Sequence, residues 1–169
     1  MTRYIPDIRG ILSTDKPHII KIIEETRAFL PGEVRVAGEL IDEYFRNPEE
    51  CGYYFYVAAE ADRVAGYICY GPTPLTEGTW DVYWLAVSPL LMKKGVGSTL
   101  LKRAEEDIKN RGGRMILIET SSNPNYRAAR SFYVTLGYRL VSTIPDFYSP
   151  GDNKVTFQKV LQTAYNNAK

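Results

Sequence analysis

Between Thr79 and Gly113 the hydrophobic period of the chain changes once, and it changes across a pair of glycines. Thr79 to Val87 is rich in aromatic and branched residues and is closed by Ser88-Pro89, which reads as a strand. From Val96 the spacing is helical. Val96, Leu100, Ala104 and Ile108 share a face with Leu101 beside them, and Lys102, Arg103, Glu106 and Lys109 take the other side. Arg111-Gly112-Gly113 ends that helix. Between the two lies Lys93-Lys94-Gly95-Val96-Gly97-Ser98. A helix start carries backbone N–H groups without intrahelical partners and the positive end of the helix dipole. Glycines let an anion approach that backbone closely, and the two lysines and the Ser98 hydroxyl add charge and a donor. The loop is neither a P-loop, since no Gly-Lys-Ser/Thr closes it, nor a full GxGxxG fingerprint, since Leu100 holds the last position. By itself it reads as an anion site or as a tight strand-to-helix turn.

The rest of the chain places this unit in one domain, 1–169, with helices on both faces of a mixed sheet. Ile5 to Leu12 reads as a short first strand. Ser13-Thr14-Asp15 and Pro17 then open a helix carrying Ile19, Ile22, Ile23, Thr26 and Leu30, which Pro31-Gly32 breaks. A second helix follows, with Ala37, Leu40, Ile41, Tyr44 and Phe45 on one face until Asn47-Pro48. Tyr53 to Ala59 and Val64 to Tyr70 read as a hairpin around Glu60-Ala61-Asp62-Arg63. Met115-Ile116-Leu117-Ile118 reads as a strand covered on both faces. Asn123-Pro124-Asn125 leads into a helix with Ala129, Phe132, Tyr133 and Leu136 inward and Gly137 as its stop. Tyr138 to Ile144 and Lys154 to Leu161 are the last strands, flanking a turn at Ser149-Pro150-Gly151-Asp152-Asn153.

Composition limits the function classes. A net charge of +1 argues against nucleic acid or an anionic membrane as partner, so any anion site is local. No apolar run approaches the ~20 residues of a membrane span. Met1 to Asp7 carries no apolar stretch of a secretory signal, so the expected location is cytoplasmic. Cys51 and Cys69 form no metal-binding spacing and read as reduced thiols. With His18 as the single histidine, a His-rich metal site and a Ser-His-Asp triad are both disfavoured, and no metal is expected.

Two segments carry a family resemblance. Trp80 to Ala104, WDVYWLAVSPLLMKKGVGSTLLKRA, and Ser131 to Leu140, SFYVTLGYRL, resemble the strand–pyrophosphate loop–helix and the closing signature of the GNAT superfamily of acyl-CoA-dependent N-acyltransferases. They match in order and spacing, and the element order fits nearly the whole chain. The resemblance implies an α/β (α+β) fold with a mixed, mostly antiparallel sheet of about seven strands. It implies transfer of the acetyl group of acetyl-CoA to an amine, with the pyrophosphate on Lys93, Lys94, Gly95, Val96, Gly97 and Ser98. The sequence departs from the family at Met92, where Gln or Arg is usual. It departs again at Tyr126, where Asn is frequent and Asn125 stands just before. Both are carried as cofactor-binding candidates.

The chemistry sets three tasks. The amine, with a pKa near ~10, must lose a proton; the developing oxyanion needs a donor; the departing thiolate, pKa near ~8.5, benefits from an acid. The resemblance makes Tyr133 the acid. Asp81, on the strand before the loop, and Glu119, at the end of the apolar strand, are the rival bases, with water as a further choice. The same resemblance implies that Leu85, Ala86 and Val87 serve the pantetheine and the thioester oxygen through their backbone. Arg127 and Arg130 read as phosphate neighbours or solvated helix residues, and Phe147-Tyr148 as a peptide contact or a hairpin cap. The acceptor, small molecule or peptide, stays open, as does a homodimer. The competing class is an acyl-CoA-binding sensor that does not transfer. Helix Ala37 to Phe45 and the turn Gly71 to Pro74 are expected to shape acceptor choice.

Overall fold

A computed structural model of the chain describes residues 6–60 and 63–161. In chain order the elements are β1 (Asp7–Gly10), α1 (Lys16–Thr26), α2 (Pro31–Arg46), β2 (Tyr54–Glu60), β3 (Arg63–Pro72), β4 (Thr79–Val87), α3 (Val96–Asn110), β5 (Met115–Ser121), α4 (Arg127–Thr135), β6 (Arg139–Ser149) and β7 (Asp152–Val160). The sheet has seven strands in the order β1-β2-β3-β4-β5-β7-β6. β4 and β5, joined through α3, run parallel from Thr79↔Met115 to Val82↔Ile118. The β1/β2, β2/β3, β5/β7 and β6/β7 pairs are antiparallel, as expected of a mixed, mostly antiparallel sheet.

Contacts divide the fold into two compact units. The first holds the chain up to Gly71 together with Trp84–Glu106; the second holds Pro72–Tyr83 together with the chain from Asp107 onward. In the first, alternation decides which side chains meet. Phe55 and Val57 lie opposite Cys69 and Tyr67, so all four share one face. α1 and α2 bury Ile19, Ile22, Ile23, Ala37 and Ile41 against it. The other face takes α3. A Cβ on Gly66 would lie 2.7 Å from the Ala86 carbonyl oxygen and 3.3 Å from Leu100, so a glycine is needed there. Val96, Leu100, Leu101 and Ala104 are buried, and each large aliphatic among them contributes about 1.5–3 kcal/mol over exposure. Helices on both faces are thus observed within this unit.

In the second unit Trp80, Val82, Ile116, Ile118, Val155 and Phe157 are buried. α4 adds Tyr133, whose ring lies 5.9 Å from Phe157 and 6.2 Å from Tyr138. The opposite face of the same strands carries Asp81, Leu117 and Glu119.

Several boundaries differ from the sequence reading. β1 covers only Asp7–Gly10 of the expected Ile5 to Leu12, and Ile5 lies outside the described residues. α1 stops at Thr26, where Arg27 turns left-handed at φ 53°. Pro31-Gly32 therefore does not break a helix; Pro31 starts α2, where a missing N–H costs nothing, and Leu30 is its exposed cap residue. Only Ile116 and Ile118 of the apolar run in β5 are buried, so that strand is half covered on the Glu119 face. β6 runs on to Ser149 at the sheet edge, and every residue in it is exposed. The hairpin turn narrows to the step between Ser149 and Asp152, which pair. Of the expected turn at 60–63, Ala61 and Asp62 lie outside the described residues.

Candidate functional site

In the first unit the glycine pair opens α3 as its sequence requires. Gly95 adopts φ 90°, a conformation that L side chains rarely tolerate, and Lys93 accepts φ 62°. The first helical hydrogen bond runs from the Thr99 amide to the Gly95 carbonyl at 3.0 Å. The amides of Val96, Gly97 and Ser98 precede it and have no helical carbonyl to meet. Lys93 and Lys94 are exposed beside them, as is Met92. A Cβ built on Gly95 meets nothing closer than Ser98 Oγ at 3.9 Å, so the approach is open. A diphosphate needs clustered donors, positive charge and room, and these residues supply all three. The hydroxyls are a partial exception: Ser98 and Thr99 both donate to the Gly95 carbonyl, at 2.8 and 2.9 Å. Ser98 therefore stiffens the turn, and its proton reaches an anion only on rotation.

β4 leads into this turn. Its ladder to β5 ends at Val82↔Ile118, five residues before the strand ends at Val87. Leu85 and Val87 are half-buried and Ala86 is buried, so their side chains pack while their backbone lies past the end of that ladder.

The second unit holds the titratable candidates. Asp81 is half-buried and accepts a hydrogen bond from the Thr73 hydroxyl at 2.5 Å. Burial pushes its carboxyl up from the usual range; the Thr73 bond opposes this and the nearby Glu119 charge reinforces it. Asp81 pairs with Leu117, so Glu119, two residues further along β5, is on its face. Glu119 is exposed and forms an ion pair of 3.0 Å with Lys154. Lys154 in turn lies 4.5 Å from the centroid of the Phe147 ring. Burial raises the Tyr133 phenol to about 12, so it stays protonated and able to donate at neutral pH. The buried side-chain polar atom without a partner among the described residues is Tyr67 Oη, in the core of the first unit.

Asn125 and Tyr126 sit in the tight 3-10 turn Pro124–Tyr126 that precedes α4. The Asn123 side chain accepts from the Asn125 amide, so the turn is held by Asn123. Arg130 donates to the carbonyls of Ser121 and Asn123 at 2.7 and 2.9 Å, which makes it a brace of this turn. Arg127 is exposed. Phe147 and Tyr148 are both half-exposed and meet edge to face. Sequence reading missed Thr73 and Lys154. Lys154 reaches Glu119 from a strand remote in sequence and Thr73 reaches Asp81 only through the turn between β3 and β4, so neither has a local pattern to mark it. Among the described residues no group of three or more His, Cys, Asp or Glu is placed to hold a metal, and no helix is long and apolar enough to cross a membrane. Cys51 and Cys69 are free thiols.

Comparison with known proteins adds to these observations. The acetyltransferase (GNAT) family model matches residues 19–138. A crystallised GNAT-family protein from Desulfovibrio desulfuricans is 39% identical, superposes with a TM-score of 0.89, and is matched over 92% of this chain and 99% of that one. An uncharacterized N-acetyltransferase of Bacillus subtilis, YsnE, is 28% identical over 119 residues, 70% of this chain and 75% of that protein. An aminoglycoside 6'-N-acetyltransferase crystallised with coenzyme A shares the fold with a TM-score of 0.73 at 18% identity, over 91% of this chain and 96% of that one.

Proposed function

Since the chain belongs to the acetyltransferase (GNAT) family, we propose that it moves the acetyl group of acetyl-CoA to a primary amine by direct attack on the thioester, within one domain spanning the chain. One observation carries the donor: the start of α3, where Gly95 turns left-handed and the Val96, Gly97 and Ser98 amides precede the first helical bond. Those amides bind the pyrophosphate, Lys93 and Lys94 add charge, and Met92 lies at the rim without a polar contribution. Since backbone supplies most of the donors, the loss of a polar side chain at Met92 is tolerated. The backbone of Leu85, Ala86 and Val87 holds the pantetheine and polarises the thioester oxygen. Asn125 and Tyr126 contribute from the turn before α4.

In the reaction the acceptor's ammonium first gives up a proton, for which Asp81 is the base. A half-buried carboxylate with raised pKa, bonded only to a neutral hydroxyl, is a better proton acceptor than Glu119, whose charge is paired with Lys154. The neutral nitrogen then attacks the thioester carbon, the C–N bond forms and the C–S bond breaks. The attacking nitrogen sheds its second proton to solvent as it becomes the amide, while Tyr133 hands its proton to the leaving sulfur and is reprotonated from that solvent. The acceptor is a small-molecule or peptide amine, and the aminoglycoside relative is a precedent for the former. The exposed Phe147 and Tyr148 on β6 offer the latter an aromatic edge. We place the enzyme in the cytoplasm, where acetyl-CoA is available.

The test is release of CoA thiol from acetyl-CoA across a panel of small amines and peptides with free amino groups. Acceptor-dependent release supports the enzyme. A rise in melting temperature with acetyl-CoA but no release with any acceptor favours an acyl-CoA sensor, and absence of any acetyl-CoA effect removes the reading.

A further inference from the structure

We infer that Lys154 is a positioning residue for Asp81 acting through Glu119: its ion pair with Glu119 offsets part of the repulsion between the two carboxylates and leaves Asp81 able to accept a proton. This rests on the proposed role of Asp81 as the base.

The argument starts from register. Asp81 lies opposite Leu117, Glu119 opposite Thr156, and Lys154 is two residues from Thr156, so all three charged side chains share one face of β4, β5 and β7. Asp81 is close enough to Glu119 for its charge to be felt. Lys154 answers Glu119 at 3.0 Å and not Asp81. Of the pair, the lysine is the fixed member, with a side chain 16% exposed against 49% for Glu119. The Phe147 ring beneath its ammonium, at 4.5 Å, holds it from β6. An ordinary surface pair contributes little, but a cation covered on one side by a ring and by its own strand loses less to solvent.

The other groups facing this cluster do not replace it. On β7 Asp152 accepts the Ser121 hydroxyl and adds negative charge. On β6 the neighbours are Ser142 and Ile144, and Asp146 is tied to the Gly151 amide at the hairpin tip. Arg139 is in register with Gln158 and hence Leu117, three strands across from Asp81, about 14 Å at the usual strand spacing. The loop before β4 brings the neutral Thr73 hydroxyl, and on β4 itself the phenol of Tyr83, two residues from Asp81, shares its face. Without Lys154, Asp81 would face an uncompensated Glu119, and its proton affinity would rise until it is protonated over more of the working range.

The experiment is a carbon-13 NMR titration of side-chain carboxyl groups in the protein without acetyl-CoA, for wild type, Lys154→Met, Lys154→Arg, Glu119→Gln and Lys154→Met/Glu119→Gln. The Asp81 midpoint should rise by roughly half to one pH unit in Lys154→Met and stay in place in Lys154→Arg. It should fall in Glu119→Gln, where the lysine is left uncompensated, and lie between these extremes in the double variant. The acid limb of kcat/KM should follow the same order. An Asp81 midpoint that does not move in Lys154→Met overturns the inference. If that variant does not fold, a midpoint that fails to drop in Glu119→Gln overturns it instead. Full turnover in Asp81→Asn would remove the base assignment, while the titration would still judge the coupling separately.

Discussion

Asp15 and Asp81 are the same side chain in opposite electrostatic settings. Asp15, in the first unit, is 4% exposed. Burial alone would raise its pKa, yet it is held below the usual carboxylate range because Arg9 grips both its oxygens, at 2.7 and 2.9 Å, and the Leu12 amide donates to it at 2.7 Å. Asp81, in the second unit, is less buried, has one neutral donor and faces another carboxylate, and its pKa is pushed up. The difference teaches that burial does not decide what a carboxylate is for. Compensation does: full pairing makes Asp15 a clamp between β1 and the turn after it, and incomplete pairing leaves Asp81 with affinity for a proton.

The largest effect expected on the chemical side of this contrast is from Tyr133→Phe, which keeps the buried ring and removes the proton. It should lower kcat by about 10²–10³-fold with little change in acetyl-CoA affinity, measured by thiol release and by titration calorimetry. Asp81→Asn comes next, with a loss of about 10²-fold in kcat/KM. A carboxylate whose folded pKa is raised costs stability that sets in as pH rises through the unfolded value and is complete above the folded one, so the same variant should melt higher than wild type at pH 7, with the gap closing in acid. A variant that lost both activity and stability would put Asp81 in the same class as Asp15. Asp15→Asn should do the reverse, destabilising by about 2 kcal/mol in urea unfolding at pH 7 while the folded enzyme keeps its kcat. Because the Asp15 pKa is depressed in the fold, its stabilisation is complete above the unfolded value and is lost as pH falls through the folded one. The gap between variant and wild type should close in acid. The smallest effect is at the donor turn, where Gly95→Ala strains a backbone at φ 90° and should weaken acetyl-CoA binding by about tenfold without altering the acid limb of the pH profile.

Legibility followed the range of the interactions. The switch from strand to helix across Gly95 and Gly97 is local, and β4 and α3 appear at the expected residues, with the buried face Val96, Leu100, Ala104 and Ile108. The Phe132-Tyr133 motif is local too, and Tyr133 is buried on its helix as read. Pro31 misled because a proline that stops one helix and a proline that starts the next look alike without the coordinates of Leu30. β6 ran longer than read because none of its side chains is buried, so no alternation of apolar and polar residues marks its extent. Lys154 and Thr73 could not be found, since what makes them matter is the register of β7 and the fold of the Thr73 turn onto β4.

The family, the sheet-and-helix order and the glycine turn at the start of α3 could be read from the sequence alone, because each rests on periodicity, glycine conformation and neighbours within one turn. The difference between the two carboxylates emerges only from the tertiary structure. Asp81 and Glu119 are alike in sequence, each an acidic residue on a strand. Their difference arises because β7 brings Lys154 to Glu119 and the preceding turn brings a hydroxyl to Asp81. Proton affinity depends on neighbours within a few ångströms, and in a sheet those neighbours come from other strands.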